Sequence, residues 1–168
     1  MRIAIVSSPR SGNTFIRETL AAALDWQSMA FHDYREAPAS LPENLLLQIH
    51  WRRDPAFLEW LSDHKFTVLT VARHPFDVLL SAVRYSAYEP SVTRWLGGDV
   101  RLPIQGGDEG AASPEFLRYA VSAGADALLS VTPQWWNDPG VIRLRYEQVV
   151  RHPRRRLGDL VVRLGGGR

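Results

Sequence analysis

Apolar residues along this chain arrive in short blocks, and the spacing within each block differs. Met1 to Val6, Leu45 to Ile49, Phe66 to Ala72 and Val141 to Arg145 are short and mostly apolar, the pattern of strands buried inside a sheet. Between them the period lengthens. Phe15, Ile16, Leu20 and Leu24 recur at helical spacing, which predicts a helix over Asn13 to Leu24. Asp54 is a candidate N-cap for a helix from Pro55 to Ser62. Pro75 opens another helix that runs to about Tyr88, and Pro90 ends it. Ser113-Pro114-Glu115 opens a helix reaching about Leu129. The last amphipathic helix runs from Pro153 to Leu164 and stops at Gly165-Gly166-Gly167. Tyr34 to Glu43 reads as a loop. Pro90 to Ala112, rich in Gly, Pro and Asp, has no period and reads as a lid, a binding loop or a disordered segment.

Strands alternating with helices predict an α/β fold, a mainly parallel central sheet flanked by helices. At 168 residues, with no internal repeat and no long linker, the chain reads as one domain over 1–168. The sequence has no cysteine, which rules out disulfides, zinc thiolates and a cysteine nucleophile. No stretch is long and apolar enough to span a membrane, and nothing resembles a signal peptide, so the expected location is cytoplasmic. Net charge is only +2, and the cations are arginines apart from Lys65. Arginine forks suit phosphate and sulfate, although a GC-rich genome would enrich the same residue. The basic residues are scattered apart from Arg154 to Arg156, a pattern that argues against nucleic acid.

Two segments carry the chemistry, each at a strand-to-helix junction. Such junctions offer free N–H groups and the positive end of a helix dipole to an anion. The first is Ser8-Pro9-Arg10-Ser11-Gly12-Asn13-Thr14-Phe15. It lacks the first glycine and the lysine of the nucleotide triphosphate loop G-x-x-x-x-G-K-[ST]. Gly12 still allows close backbone approach, Ser11, Asn13 and Thr14 offer donors, and Arg10 adds a charge. A plain polar turn capped by Ser11 or Asn13 is the alternative. The second is Arg73-His74-Pro75-Phe76-Asp77 followed by Ser81. Asp77 and Ser81 share a helix face, and Arg73 could reach the same phosphate as Ser81. An Arg73–Asp77 surface pair is the alternative there. His50 stands at the end of its strand, so three candidates fall on the rim where parallel sheets bind ligands. His32, His64, His74 and His152 read as surface or turn residues, and no histidine spacing suggests a metal site.

These segments resemble the sulfotransferases that use 3′-phosphoadenosine 5′-phosphosulfate (PAPS). The family's loop, roughly Y-P-K-S-G-T-T-W, is similar to Ser8 through Phe15, and its R-x-P-x-D-x-x-x-S is matched by Arg73, Pro75, Asp77 and Ser81. Arg143-Leu144-Arg145-Tyr146-Glu147, then His152-Pro153 and Leu157, resembles the family's strand and Y-E-D segment. The resemblance covers nearly the whole chain and implies the family's P-loop-like fold. It implies that Pro9, Arg10, Ser11, Gly12, Asn13 and Thr14 wrap the 5′-phosphosulfate. Phe15, in place of tryptophan, and Tyr146 would lie at the adenine, and Arg73 and Ser81 at the 3′-phosphate. His50, in Gln48-Ile49-His50 where the family has K-T-H, would be the catalytic base. PAPS would be the donor and adenosine 3′,5′-bisphosphate (PAP) the product, with no metal. The acceptor would be a hydroxyl of a small molecule or glycoconjugate.

Two departures stand out. Arg10 replaces the family's lysine, so it would neutralise charge on the transferring group without giving up a proton. The family's C-terminal basic, glycine-bearing segment has no counterpart before Arg168. That leaves open a nucleotide-binding remnant without activity. A small-metabolite kinase is the weaker alternative, because the P-loop lysine and a magnesium carboxylate are missing. Among the tryptophans, Trp95 in the long loop is the expected acceptor contact.

Overall fold

The computed structural model describes residues 1–89 and 113–165, together with the backbone of two short strands at 94–95 and 100–101. Five parallel strands form the sheet: β1 (Arg2–Val6), β2 (Gln27–Phe31), β3 (Leu45–Ile49), β4 (Phe66–Ala72) and β7 (Ile142–Arg145). Their order is β2-β3-β1-β4-β7, so β1 is central, with β3 and β4 on its two sides. β5 (Arg94–Trp95) and β6 (Val100–Arg101) form a separate antiparallel pair. The side chain of Trp95, the expected acceptor contact, lies outside the described residues.

The helices are α1 (Asn13–Leu24), α2 (Pro55–Asp63), α3 (Pro75–Ser86), α4 (Pro114–Ala120), α5 (Ala123–Leu129), α6 (Val131–Trp136), α7 (Tyr146–Arg151) and α8 (Pro153–Arg163). Alternate residues of each central strand face opposite layers. Ala4, Val6 and Ile49 pack with Phe57, Val78, Leu128 and Trp135 under α2 to α6. Ile3, Ile5 and Leu46 pack with Ile16, Leu20, Leu157 and Leu160 under α1, α7 and α8. Both faces of β1 are therefore dry, which is why its sequence reads as an unbroken apolar run.

Several elements differ from the sequence expectation, which held neither α7 nor the β5–β6 pair. β2 is an edge strand with largely exposed side chains, so Gln27–Phe31 carries little apolar signal. The helix expected from Ser113 to Leu129 is two helices, because the Ser122 hydroxyl caps a new one by accepting the Ala125 N–H. A further short helix, α6, then follows and carries Trp135 into the core.

Candidate functional site

The site grows from the point where β1 leaves the sheet. Ser7 is fully buried there, and its Oγ accepts the Val71 N–H of β4 at 2.7 Å. Register pairs Val6 with Ile49, so the next residues, Ser7 and His50, also stand side by side. His50 Nδ1–H donates to the Ser7 carbonyl at 2.8 Å. That bond puts the proton on Nδ1 and leaves a lone pair on Nε2, 3.5 Å from the Gln48 amide nitrogen. Burial pushes the imidazole down to about 4; the Ser7 carbonyl opposes this, and His32 and Arg10 add to it. His50 is therefore neutral at pH 7, and its Nε2 lone pair accepts a long bond from the Gln48 amide N–H.

The loop after β1 turns on two left-handed residues, Arg10 at φ 62° and Gly12 at φ 95°. Gly12 is the N-cap of α1, neither Ser11 nor Asn13 is, and no side chain caps the helix. The first N–H groups of α1 thus have no intrahelical partner and no side-chain acceptor. A Cβ on Gly12 would lie 2.3 Å from Tyr146 Cδ2, so the Tyr146 ring packs directly on the glycine backbone. The Asn13 amide nitrogen braces the loop by donating to the Ser8 carbonyl at 3.1 Å. Thr14 Oγ1 donates to Gln48 Oε1 at 3.1 Å, which joins the loop to the His50 strand. Phe15 stays 44% exposed, an open aromatic face beside the loop.

The second segment meets the first. Arg10 Nε donates to Ser81 Oγ at 3.1 Å, and its guanidinium lies 3.9 Å from the centre of the Tyr85 ring. Arg73 Nη1 donates to the Arg10 carbonyl at 3.0 Å, and its guanidinium covers the Tyr146 ring at 4.6 Å. Arg73 therefore leans on the loop and not on Asp77. Burial lowers the Arg10 pKa, Tyr85 opposes the shift, and the nearby charge of Arg73 adds to it. Arg73 Nε and Asn13 Oδ1 are buried without a partner.

A cavity of about 330 Å³ collects most of these groups. Pro9, Arg10, Gly12, Asn13, Thr14, Phe15, His50, Arg73 and Tyr146 line it, and no carboxylate does among the described residues. Of the residues expected from sequence, Ser11 lies beneath the loop and lines an adjoining cavity of about 460 Å³ that also touches Arg73. Ser81 is reached through its bond to Arg10. Three lining residues escaped the sequence reading: Gln48, Tyr85 and His32. Two had a signal. Gln48 is two residues before His50 on one strand face, and Tyr85 is one turn after Ser81 on α3. His32 follows the end of β2, the strand that the sequence concealed.

What could such a cavity hold? Two cations, an uncapped helix start and an orphaned guanidinium N–H suit a ligand with phosphate or sulfate groups. Exposed or half-buried aromatic rings at Phe15 and Tyr146 suit a planar base beside them. Among the described residues no three or more His, Asp or Glu side chains gather as a metal-binding cluster.

No protein-family model matches this chain, and no curated protein does. Among solved structures, the chain is similar to mouse sulfotransferase SULT7A1, crystallised in complex with PAP, at 18% identity and a TM-score of 0.66. The match covers 99% of this chain and 59% of that one. The chain therefore has the sulfotransferase fold, and it spans about three fifths of the length of that enzyme.

Proposed function

We propose that this chain binds PAPS and transfers its sulfuryl group to a hydroxyl of a small molecule or glycoconjugate. The observation that carries the reading is one cavity in which the α1 start, Arg10 and Arg73 face His50, whose unprotonated Nε2 has only a long 3.5 Å bond from the Gln48 amide among the described residues for an acceptor hydroxyl to displace. The residues present fit the donor. The backbone of Gly12 to Phe15 and Arg10 would hold the 5′-phosphosulfate, Arg73 and Ser81 the 3′-phosphate, and Phe15 and Tyr146 the base. When bound, the donor supplies a sulfuryl group whose bond to the phosphate oxygen breaks in line as the acceptor oxygen bonds to sulfur.

The chain's own residues do the rest by position and charge. His50 Nε2 takes the proton from the attacking hydroxyl, and the Ser7 carbonyl keeps Nδ1–H aimed away from it. Arg10 stays cationic and contributes field without proton transfer. Gln48 holds Thr14 of the loop and faces His50, so it fixes the spacing of donor loop and base.

Calorimetry of PAP beside ATP and 5′-AMP tests the reading. A clear preference for PAP is expected. Preference for ATP would overturn the sulfotransferase assignment. PAP binding without turnover of any acceptor would make the chain a nucleotide-binding module.

A further inference from the structure

Away from the donor cavity, the last stretch of sequence is strongly cationic. From Val141 onward it carries eight arginines against two acids, Glu147 and Asp159. Three of those arginines converge. Arg143 and Arg145 leave the same face of β7, the edge strand, and Arg156 comes from α8. Together they line a cavity of about 320 Å³ with no acid among its described lining residues.

Up to Arg118 the described arginines have partners, whereas Arg151, Arg154, Arg155 and Arg163, like Arg145 and Arg156 at the cavity, have no ion pair or hydrogen bond among the described residues. Arg17, Arg35, Arg53 and Arg118 pair with carboxylates, and Arg2 donates to three backbone carbonyls. Around this cavity the pattern fails. Arg143 has only the Trp136 carbonyl, at 3.3 Å, and Arg145 and Arg156 have neither an ion pair nor a hydrogen bond among the described residues. Glu147, the nearest acid in sequence, is engaged by the His74 N–H at 2.8 Å. Three like charges gathered around one hollow repel each other until an anion enters.

The rest of the lining says what else the anion brings. Trp136 forms a wall, Leu144 and Val149 are apolar, and Gln148 adds an amide. At about ten times the ~30 Å³ share of a water molecule in the liquid, this hollow is too large for a bare oxyanion. Arginine forks match the tetrahedral oxygens of phosphate or sulfate, and an indole matches a flat ring.

We propose that the cavity between β7 and α8 is a second anion site, taking a phosphate or sulfate monoester of a small ring compound. It shares no lining residue with the donor cavity, although Trp136 and Arg145 also line the adjoining cavity that Ser11 and Arg73 reach, and it does not depend on the sulfotransferase reading. A sulfate monoester is the product class of the proposed reaction, and a phosphate monoester has the same tetrahedral head.

Phenyl phosphate, phenyl sulfate, inorganic phosphate and phenol, each titrated calorimetrically, test the assignment. Saturating PAP occupies the donor cavity, and a parallel titration of the Arg73→Gln variant isolates this site if PAP does not bind. We expect one equivalent of phenyl phosphate or phenyl sulfate to bind, the tighter of the two naming the head group. Arg143→Gln with Arg156→Gln should weaken it about a hundredfold, about tenfold for each charge-assisted hydrogen bond removed. Arg73→Gln should leave it unchanged. Both arginines are exposed, and an unchanged melting temperature shows that the double variant folds. Equal affinity in the double variant, or phenol binding as well as the esters, would overturn the site. Inorganic phosphate binding as tightly as phenyl phosphate would overturn the ring compound.

Discussion

Gly12→Ala separates two costs that the structure puts at one position. The first is backbone: φ is 95°, and an L side chain in left-handed geometry costs about 1–2 kcal/mol. The second is steric. The new Cβ would lie 2.3 Å and 2.4 Å from Tyr146 Cδ2 and Cε2, far inside van der Waals range. Tyr146 cannot simply swing away, because Arg73 covers its ring and the ring packs against the core beneath α1. Overpacking of this kind costs about 1–3 kcal/mol. Gly12→Ala should therefore destabilise the protein by about 2–5 kcal/mol, the sum of these two ranges. In a Tyr146→Ala background the clash disappears and only the backbone cost remains, about 1–2 kcal/mol. Urea unfolding of the two single variants, the double variant and the parent closes the cycle. A Gly12→Ala cost that is the same in both backgrounds would show that the ring does not press on the glycine, and the reasoning would fail.

Two further outcomes follow from His50 and its support. His50 is held at about 4 in the folded chain against an ordinary 6.5, so the unfolded chain binds more protons between those values. Stability should therefore fall as pH drops through that window, by up to roughly 3 kcal/mol at about 1.4 kcal/mol per unit. Urea midpoints at pH 7 and pH 4 should show this loss in the parent and much less in His50→Gln; equal losses would remove His50 as the source. Ser7→Ala strips the Val71 N–H of its acceptor in a fully buried place and should cost about 1–3 kcal/mol in the same assay. A change below about 0.5 kcal/mol, the net worth of the weakest hydrogen bond, would show that the hydroxyl is not needed there.

The central strands were legible because burial on both faces leaves a continuous apolar run, as at Ile3 to Val6 and Leu45 to Ile49. Their order is not written in any one run; it follows from packing of the connecting helices. β2 was hidden because an edge strand needs few apolar residues, and His32 was hidden with it. The helix break at Ser122 was hidden for a different reason. Phe116, Tyr119, Ala125 and Leu128 all enter one core, so the apolar pattern crosses the break without interruption. At the site, residue types and rim positions were legible, whereas directions were not. The sequence assigned Arg10 and Ser81 to phosphates at two ends of a ligand. In the structure Arg10 reaches across to Ser81, a bond between positions 71 apart that no local pattern encodes.

Ser7 has one more implication. Its hydroxyl anchors β4 and its carbonyl orients the His50 imidazole at the end of β3, so the ring takes its bearing from the sheet backbone and not from a carboxylate side chain. Burial keeps the proton affinity of this histidine low, and the Ser7 carbonyl offsets that only in part while holding the ring fixed. Its aim is only as good as the alignment of three strands. A slip of β3 by a single residue would carry His50 to the opposite face and out of the cavity that it lines.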